Sequence, residues 1–362
     1  MAGKFELTKF SDVNLNDAFF DPLKADYEEF PIWFKKKGDL NENALVFHDE
    51  QGIGAFVYLK KENEAISLTE GVLPAVPRLK IGTMRLAERF RGQRFGEGAL
   101  GVSLWYWNTT KADEIYVTVY DKHIELIRLF ERFGFMCAGK NPRGELVYLK
   151  SRRSLNYSNP YMCFPFIDPS IDKAGMVPIF DYYHDRLFPY SELKGRNQEV
   201  IEETAGNGVT KVYIGTPYSD MHYSTGEPVF IYRIHTGVGS KTYKSVITSF
   251  CTITKVDVIR SSGKPLISIE EFIKKAGNKT IFMAAELAEL YNSKNSNLVM
   301  IELVYNGFFG KGKNVTHRNL DEQGLFPAHP YHVQYNKSQF EKILEMGGVD
   351  VSNVTINQSG AC

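Results

Sequence analysis

Hydrophobic and polar residues alternate with two different periods along the first 150 residues. A two-residue period is typical of strands, and a spacing of three or four residues is typical of helices. The first period predicts strands at 4–10, 43–48, 53–60, 79–88, 114–120, 135–139 and 145–150. The second predicts helices at 17–37 (broken by Pro22 and Pro31), 99–111 and 123–133. Residues 1–150 are therefore predicted to form a first domain, a mixed sheet flanked by helices.

The rest of the chain differs from the first 150 residues in composition and in its pattern of predicted elements. Residues 151–205 are rich in Pro, Tyr and Asp and predict a packed linker. Residues 206–350 predict a second domain, a small barrel or sheet with peripheral helices. Its strands are expected at 211–216, 228–236, 245–256 and 297–305, and its helices at 268–276, 280–291 and 337–346. The polar residues 351–362 predict a flexible tail, and the whole chain is expected to be α+β.

Charge and cysteine content narrow the classes of partner. The 362 residues carry 43 Lys and Arg against 43 Asp and Glu, so any nucleic-acid site must be a local patch. Four cysteines, Cys137, Cys163, Cys251 and Cys362, lie far apart without a CxxC pair, which disfavours a metal site or a disulfide framework. The start MAGKFELTKF has no apolar signal core, and no stretch has the length of a membrane span. We therefore expect a cytoplasmic protein without membrane or metal partners.

The segment 79–98 is the one most suggestive of chemistry. A predicted strand runs into a turn with Gly92, Gly96 and Gly98, and a helix follows. Such a turn lets backbone N–H groups converge, and the first amides of the helix add positive charge, which suits a diphosphate. Arg91, Arg94 and Gln93 can supply further donors. A turn before a packed helix would have the same composition, so this signal alone is weak. No GxxxxGK[ST] motif is present, and a dinucleotide fingerprint would need an earlier βαβ unit.

A second motif follows in EIYVTVYDKHIELIRLFERFGF, residues 114–135. With the turn, residues 1–150 resemble the GNAT superfamily of N-acetyltransferases, which carry RGxGxG and then NxxAxxLYxxxGF. The resemblance implies acetyl-coenzyme A as cofactor, with its pantetheine arm against the strand backbone at Met84, Arg85 and Leu86. It implies that the diphosphate-binding turn supplies Arg91, Gly92, Gln93, Arg94, Phe95, Gly96, Glu97 and Gly98 to the cofactor site. The later helix at 123–133, whose side chains flank the adenosine side and the thiol in that family, supplies Phe130.

Three residues depart from the family pattern. Arg94 replaces the usual first glycine of the turn, and His123 replaces the usual Asn. Phe130 replaces a Tyr that in many members protonates the departing thiolate. Because a phenyl ring cannot donate a proton, these changes leave cofactor binding plausible but put the usual general acid in doubt.

Direct attack of an amine on a thioester needs a base, because an alkyl amine of pKa about 10.4 is mostly protonated at pH 7. Candidate bases are Glu70, His123 and Glu125, although each is also an ordinary surface residue. Tyr120, at a strand end, could replace the missing acid or be merely a strand-end aromatic. The resemblance suggests the amide near Leu86 as the oxyanion donor.

The run EPVFIYRIHTGVGSKTYKSVITSFCTITKV is similar to the strand core of PUA-like domains, the group with the ASCH and EVE modules. That similarity implies an RNA or nucleotide-like ligand, with Arg233, Lys241, Tyr243 and Lys244 as candidate contacts or, alternatively, a solvated strand edge. Three functions stay open. The first is an acyltransferase with an RNA-linked acceptor such as aminoacyl-tRNA. The second is a degenerate CoA-binding or nucleic-acid-binding regulator, and the third a protein or small-amine acetyltransferase.

Overall fold

The computed structural model describes residues 5–191, 204–218 and 221–356. The chain divides into two compact units, Met1–Leu155 and Asn156–Cys362, and each is described by itself. Both combine sheets with helices, which confirms the predicted α+β class. Within the described ranges, no helix has the length and apolar character needed to cross a bilayer.

A seven-stranded mixed sheet organises the first unit, in the order β1-β2-β3-β6-β7-β9-β8. Its strands are β1 Glu6–Lys9, β2 Asn43–Asp49, β3 Gly52–Glu62, β6 Arg78–Leu86, β7 Glu114–Val119, β8 Met136–Lys140 and β9 Leu146–Ser151. A separate hairpin, β4 Ile66–Leu68 and β5 Gly71–Leu73, was absent from the sequence prediction. Neighbouring strands of the large sheet are antiparallel except β6 and β7, which are parallel.

The α-helices that accompany this sheet are α1 Asp21–Asp26, α2 Phe30–Asp39, α3 Phe95–Asn108 and α4 Ile124–Arg132. Pro22 and Pro31 stand in the first turns of α1 and α2, so they start two helices instead of breaking one. Proline suits that position because its missing N–H has no partner there anyway. Rings of Phe10, Phe20 and Phe34 pack against Phe56 of β3 and fill the core beneath these helices.

Two cations bind the C-terminal carbonyls of α4 and α3. Lys150 of β9 donates to the carbonyl of Phe133, at the end of α4, over 2.6 Å. Arg152, directly after β9, donates to the carbonyls of Trp107, Asn108 and Thr110, at the end of α3. Positive charge is favourable at helix C-termini, where carbonyl groups lack intrahelical partners. One segment of chain therefore fixes the ends of both helices.

The second unit is built on a mixed sheet in the order β10-β12-β13-β15-β11, with β14 and β16 paired to β13. Its strands are β10 Gly175–Phe180, β11 Thr210–Gly215, β12 Pro228–Ile234, β13 Val246–Ser261, β14 Lys264–Pro265, β15 Leu298–Phe308 and β16 Val315–Thr316. Its helices are α5 Pro160–Cys163, α6 Asp181–Leu187, α7 Thr204–Asn207, α8 Lys241–Lys244, α9 Ile269–Ala276, α10 Ala284–Asn292, α11 His317–Glu322 and α12 Lys337–Met346. β10 and β12 are parallel, and the other pairs are antiparallel. The PUA-like barrel itself stays a prediction.

Two segments differ from their sequence prediction. The expected linker 151–205 supplies α5, β10 and α6 to the second unit, and its residues 192–203 lie outside the described chain. Pro178 hid the strand from the sequence pattern, and it is tolerated because β10 is an edge strand of the sheet. The expected flexible tail instead begins with a buried Val354 that joins the hydrophobic core. Its last residues, 357–362, are outside the described chain.

A charged network is buried in the second unit. Arg233 of β12 donates to both carboxylate oxygens of Asp185 over 2.7 and 2.8 Å. His184 bridges Asp185 and Thr248 through its two ring nitrogens, at 2.8 and 2.7 Å. Burial would raise the pKa of the Asp185 carboxyl, but the hydrogen bonds from Arg233 and His184 hold it well below its usual range. Burial also lowers the pKa of His184, so its ring is neutral at pH 7.

Candidate functional site

The two parallel strands of the first unit separate at one end. β6 and β7 pair only between Arg78–Ile81 and Glu114–Val117. Beyond that point β6 continues to Leu86 along β3, and β7 continues to Val119 along β9. An irregularity in the β3–β6 pairing falls at Gly82, the first residue past the shared segment. The carboxyl ends of β6 and β7 therefore border a gap in the sheet, with Met84, Arg85 and Leu86 along one side.

The turn after β6 ends in a helix N-terminus. Gly92 and Arg94 both have positive φ, 75° and 64°, and Arg94 is the residue directly before α3. The first helical hydrogen bond runs from the Gly98 N–H to the Arg94 carbonyl, so the amides of Phe95 and Gly96 precede it. Amides in that position attract anions. The sequence prediction started this helix at residue 99, and that start is wrong by four residues.

Gly96 connects the turn with the gap. A Cβ atom on this residue would lie 3.6 Å from Leu86 Cδ1 and 3.7 Å from Leu129 Cδ2. The first turn of α3 is thus flanked by the end of β6 and by α4. Because glycine has no side chain, the backbone of this turn stays open to a ligand between those two elements.

The side chains of the turn have separate environments. Arg91 is 81% exposed and pairs with Glu88 over 3.0 Å, whereas the Gln93 amide donates to the Arg89 carbonyl. Phe95 is buried, with its ring 4.1 Å from that of Phe90. The groups of this turn that could receive an anion are therefore its main-chain amides, with the exposed Arg91 beside them. Gly98 is buried within the helix.

Phe130 is fully buried, and its ring lies 5.2 Å from that of Phe135. Its side chain is a part of the core beneath α4. The residue predicted to flank the cofactor's thiol therefore has no exposed surface with which to do so.

The candidate acid Tyr120 and the candidate bases lie toward the same end of the sheet, but the bases differ in their distance from Tyr120. Tyr120, 37% exposed, directly follows β7, and the His123 N–H donates to its carbonyl over 3.1 Å. Glu70 is exposed in the β4–β5 turn, whose neighbouring Thr69 N–H bonds to the Lys140 carbonyl. Lys140 and Val119 both pair with Leu146, so Glu70 is two strands away from Tyr120. Glu125 is exposed and pairs with Arg128.

Two residues near Tyr120 were missed by the sequence analysis. Burial raises the pKa of Tyr27, and so do the charges of Glu145 and Tyr120. Tyr27 follows α1, and Glu145 precedes β9 at the level where β7 ends. Tyr27 is thus within electrostatic range of Tyr120, although no local motif connects them.

One candidate for nucleic-acid contact in the second unit is corrected by the structure. Arg233 is almost fully buried and is held by Asp185, so it cannot line an open basic cleft. Lys241, Tyr243 and Lys244 instead form the exposed helix α8, where the Arg318 guanidinium lies 5.2 Å from the Tyr243 ring.

Comparison with known proteins gives structural likeness only. No family model matches the chain, and no curated protein matches it. A structure from Corynebacterium glutamicum ATCC 13032, described as histone acetyltransferase HPA2 and related acetyltransferase, is 16% identical with a TM-score of 0.30, covering 42% of this chain and 97% of that one. Arabidopsis thaliana Naa50 with the bisubstrate analogue CoA-Ac-MVNAL is 16% identical with a TM-score of 0.29, covering 42% and 99%.

A third structure, a mutant of the AtaT toxin bound to acetyl-CoA and to the C-terminus of the antitoxin AtaR, is 10% identical with a TM-score of 0.32. The match covers 42% of this chain and 94% of the toxin chain. Identities and scores at this level are too low for the activity of any of these proteins to be transferred to this chain.

Proposed function

We propose that the first unit is an acetyl-coenzyme A-dependent N-acyltransferase in which an amine attacks the thioester directly. The observation that carries this proposal is the opening between β6 and β7 beyond Ile81 and Val117, with the first amides of α3 beside it. A long, thin ligand with a diphosphate at one point fits a slot that has an anion site at its entrance.

In this proposal the amides of Phe95 and Gly96 bind the diphosphate. The separated backbone of β6, at Met84, Arg85 and Leu86, lines the pantetheine arm. Arg85 is already oriented, because its Nε donates to the Phe19 carbonyl over 2.8 Å. The N–H near Leu86 is the proposed donor to the oxyanion of the tetrahedral intermediate.

Binding of acetyl-coenzyme A is the direct test. At a concentration of 100 times its dissociation constant, the ligand should stabilise the chain by about 2.7 kcal/mol, seen as a raised unfolding temperature. Adenosine diphosphate without the pantetheine arm should give a smaller shift. Absence of any shift with acetyl-coenzyme A at millimolar concentration would remove the transferase proposal.

Tyr120 is the proposed proton donor to the departing thiolate, since Phe130 is buried and has no proton to give. Tyr120→Phe should lower kcat by about 100-fold and leave the affinity for acetyl-coenzyme A unchanged. Tyr27→Phe and His123→Gln provide the comparison at neighbouring positions, and Glu70→Gln tests the more distant base. Equal kcat values for Tyr120→Phe and the parent protein would exclude this role and favour water as the donor.

The acceptor is proposed to be RNA-linked, with the second unit as the recruiting module. The exposed Tyr243 between Lys241 and Lys244 supports this proposal, because bases stack on such rings and phosphates bind such cations. The burial of Arg233 weakens it and favours a protein or small-amine acceptor. Thioester consumption with total tRNA, compared with peptides and polyamines, separates these acceptors. Cofactor binding without consumption of any of them would support the regulatory alternative, which a Phe in place of the usual Tyr at position 130 favours.

A further inference from the structure

Arg94 has a backbone conformation that costs free energy for any residue except glycine. Its φ of 64° is in the left-handed region, at the residue directly before α3. Its side chain is only 8% exposed and donates to Glu97 Oε1 over 2.9 Å. Strained residues persist where the surrounding interactions require their side chains. The ion pair with Glu97 is therefore the reason for an arginine here.

Glu97 also reaches a second arginine. Its Oε2 lies 3.7 Å from Nη1 of Arg132, in the last turn of α4. Two guanidinium groups around one carboxylate leave a net positive charge. Arg132 keeps 42% of its side chain exposed, whereas Arg94 and Glu97 are enclosed. Arg132 is thus the member of this cluster that a ligand in solution can reach.

The position of Arg132 relative to the gap follows from α4. This helix starts close to Tyr120, at the mouth of the gap, and Leu129 packs beside Gly96. Arg132 lies one turn beyond Leu129, on the side away from that mouth. A ligand with its thioester between the strands and its diphosphate at Gly96 must place its nucleotide on this same side.

Given the proposed function, we infer that Arg132 binds the phosphate on the 3′ position of the ribose of coenzyme A. That group is the cofactor's one anion besides the diphosphate. A guanidinium donates two parallel hydrogen bonds to a phosphate, which an exposed lysine cannot match. Glu97 and Arg94 act as positioning residues that hold the guanidinium beside the first turn of α3.

The test compares acetyl-coenzyme A with its 3′-dephospho form by titration calorimetry on the full chain. The parent protein should bind acetyl-coenzyme A about tenfold or more tightly than the dephospho form. Arg132→Gln should remove this preference by weakening the binding of acetyl-coenzyme A while leaving that of the dephospho form unchanged. Arg128→Gln is the matched control, because Arg128 lies on the same helix, is exposed and pairs locally with Glu125. It should keep the preference.

Three results would overturn the inference. One is equal affinity of the parent protein for both ligands. Another is that Arg132→Gln loses affinity equally for both ligands while its unfolding temperature is unchanged, which would indicate a contact with the diphosphate. A third is a preference that Arg132→Gln retains. In all three, binding of the dephospho form would leave the transferase proposal intact, whereas failure of both ligands to bind the parent protein would remove both. Glu97→Gln should reduce the preference without abolishing it.

Discussion

Gly96→Trp is expected to abolish measurable binding of acetyl-coenzyme A. The new side chain would project between Leu86 and Leu129, whose methyl groups are 3.6 and 3.7 Å from the position of its Cβ. Two or three charge-assisted hydrogen bonds to the diphosphate would be lost, at about 1.5–3 kcal/mol each, which corresponds to a weakening of roughly 100-fold or more. Titration calorimetry or an equilibrium fluorescence assay measures the change in the dissociation constant of acetyl-coenzyme A.

Gly96→Ala is the matched control for this substitution. A methyl group makes ordinary van der Waals contacts at those two distances, and alanine favours helix over glycine. Its affinity should stay within a few-fold of that of the parent protein, with equal or slightly higher thermal stability. A folded Gly96→Trp variant with parental affinity would show that the diphosphate binds elsewhere.

Arg233→Met is expected to destabilise the second unit by about 3–5 kcal/mol, because it leaves the Asp185 carboxylate without its cation in a mostly buried position. The methionine fills similar volume, so lost packing contributes little. Hydrogen exchange of the β12 and β13 amides gives the free energy of opening directly. The loss should shrink below about pH 4, where the variant's Asp185 is protonated and the parent protein loses the advantage of a lowered pKa.

Two controls accompany the Arg233 experiment. Arg318→Met removes an exposed arginine paired with Glu322 and should cost less than about 1 kcal/mol. All three tryptophans, Trp33, Trp105 and Trp107, belong to the first unit, so their fluorescence reports that unit separately. A change for Arg233→Met no larger than for Arg318→Met would mean that the buried pair adds little to stability.

Most strands and helices of the first unit could be predicted because each has a periodic pattern of its own. The strands expected at 79–88 and 114–120 correspond to β6 and β7, and the helix expected at 123–133 corresponds to α4. The start of α3 was misplaced because Gly96 and Gly98 have low helix propensity, whereas Arg94 makes the left-handed turn. The first turn of α3 packs between β6 and α4, and this packing outweighs the low helix propensity of its glycines.

Properties that depend on distant parts of the chain could not be predicted. Tyr27 lies within electrostatic range of Tyr120 although the two are far apart along the chain, and no spacing in the sequence encodes that. Arg233 was expected to be accessible, since arginine in a strand usually faces water. Both faces of β12 are covered, so alternation along this strand carries no information about exposure. Its ion partner Asp185 was recognisable only in three dimensions.

Lys150 in β9 and Arg152 directly after it bind the ends of two helices. Lys150 holds the end of α4 that carries Arg132, and Arg152 holds the end of α3 remote from the proposed ligand slot. The positions of the two helices beside that slot consequently depend on residues that do not line it. Selection for a wider or narrower donor, such as a longer acyl chain, could therefore act on β9 while every contact residue stays the same.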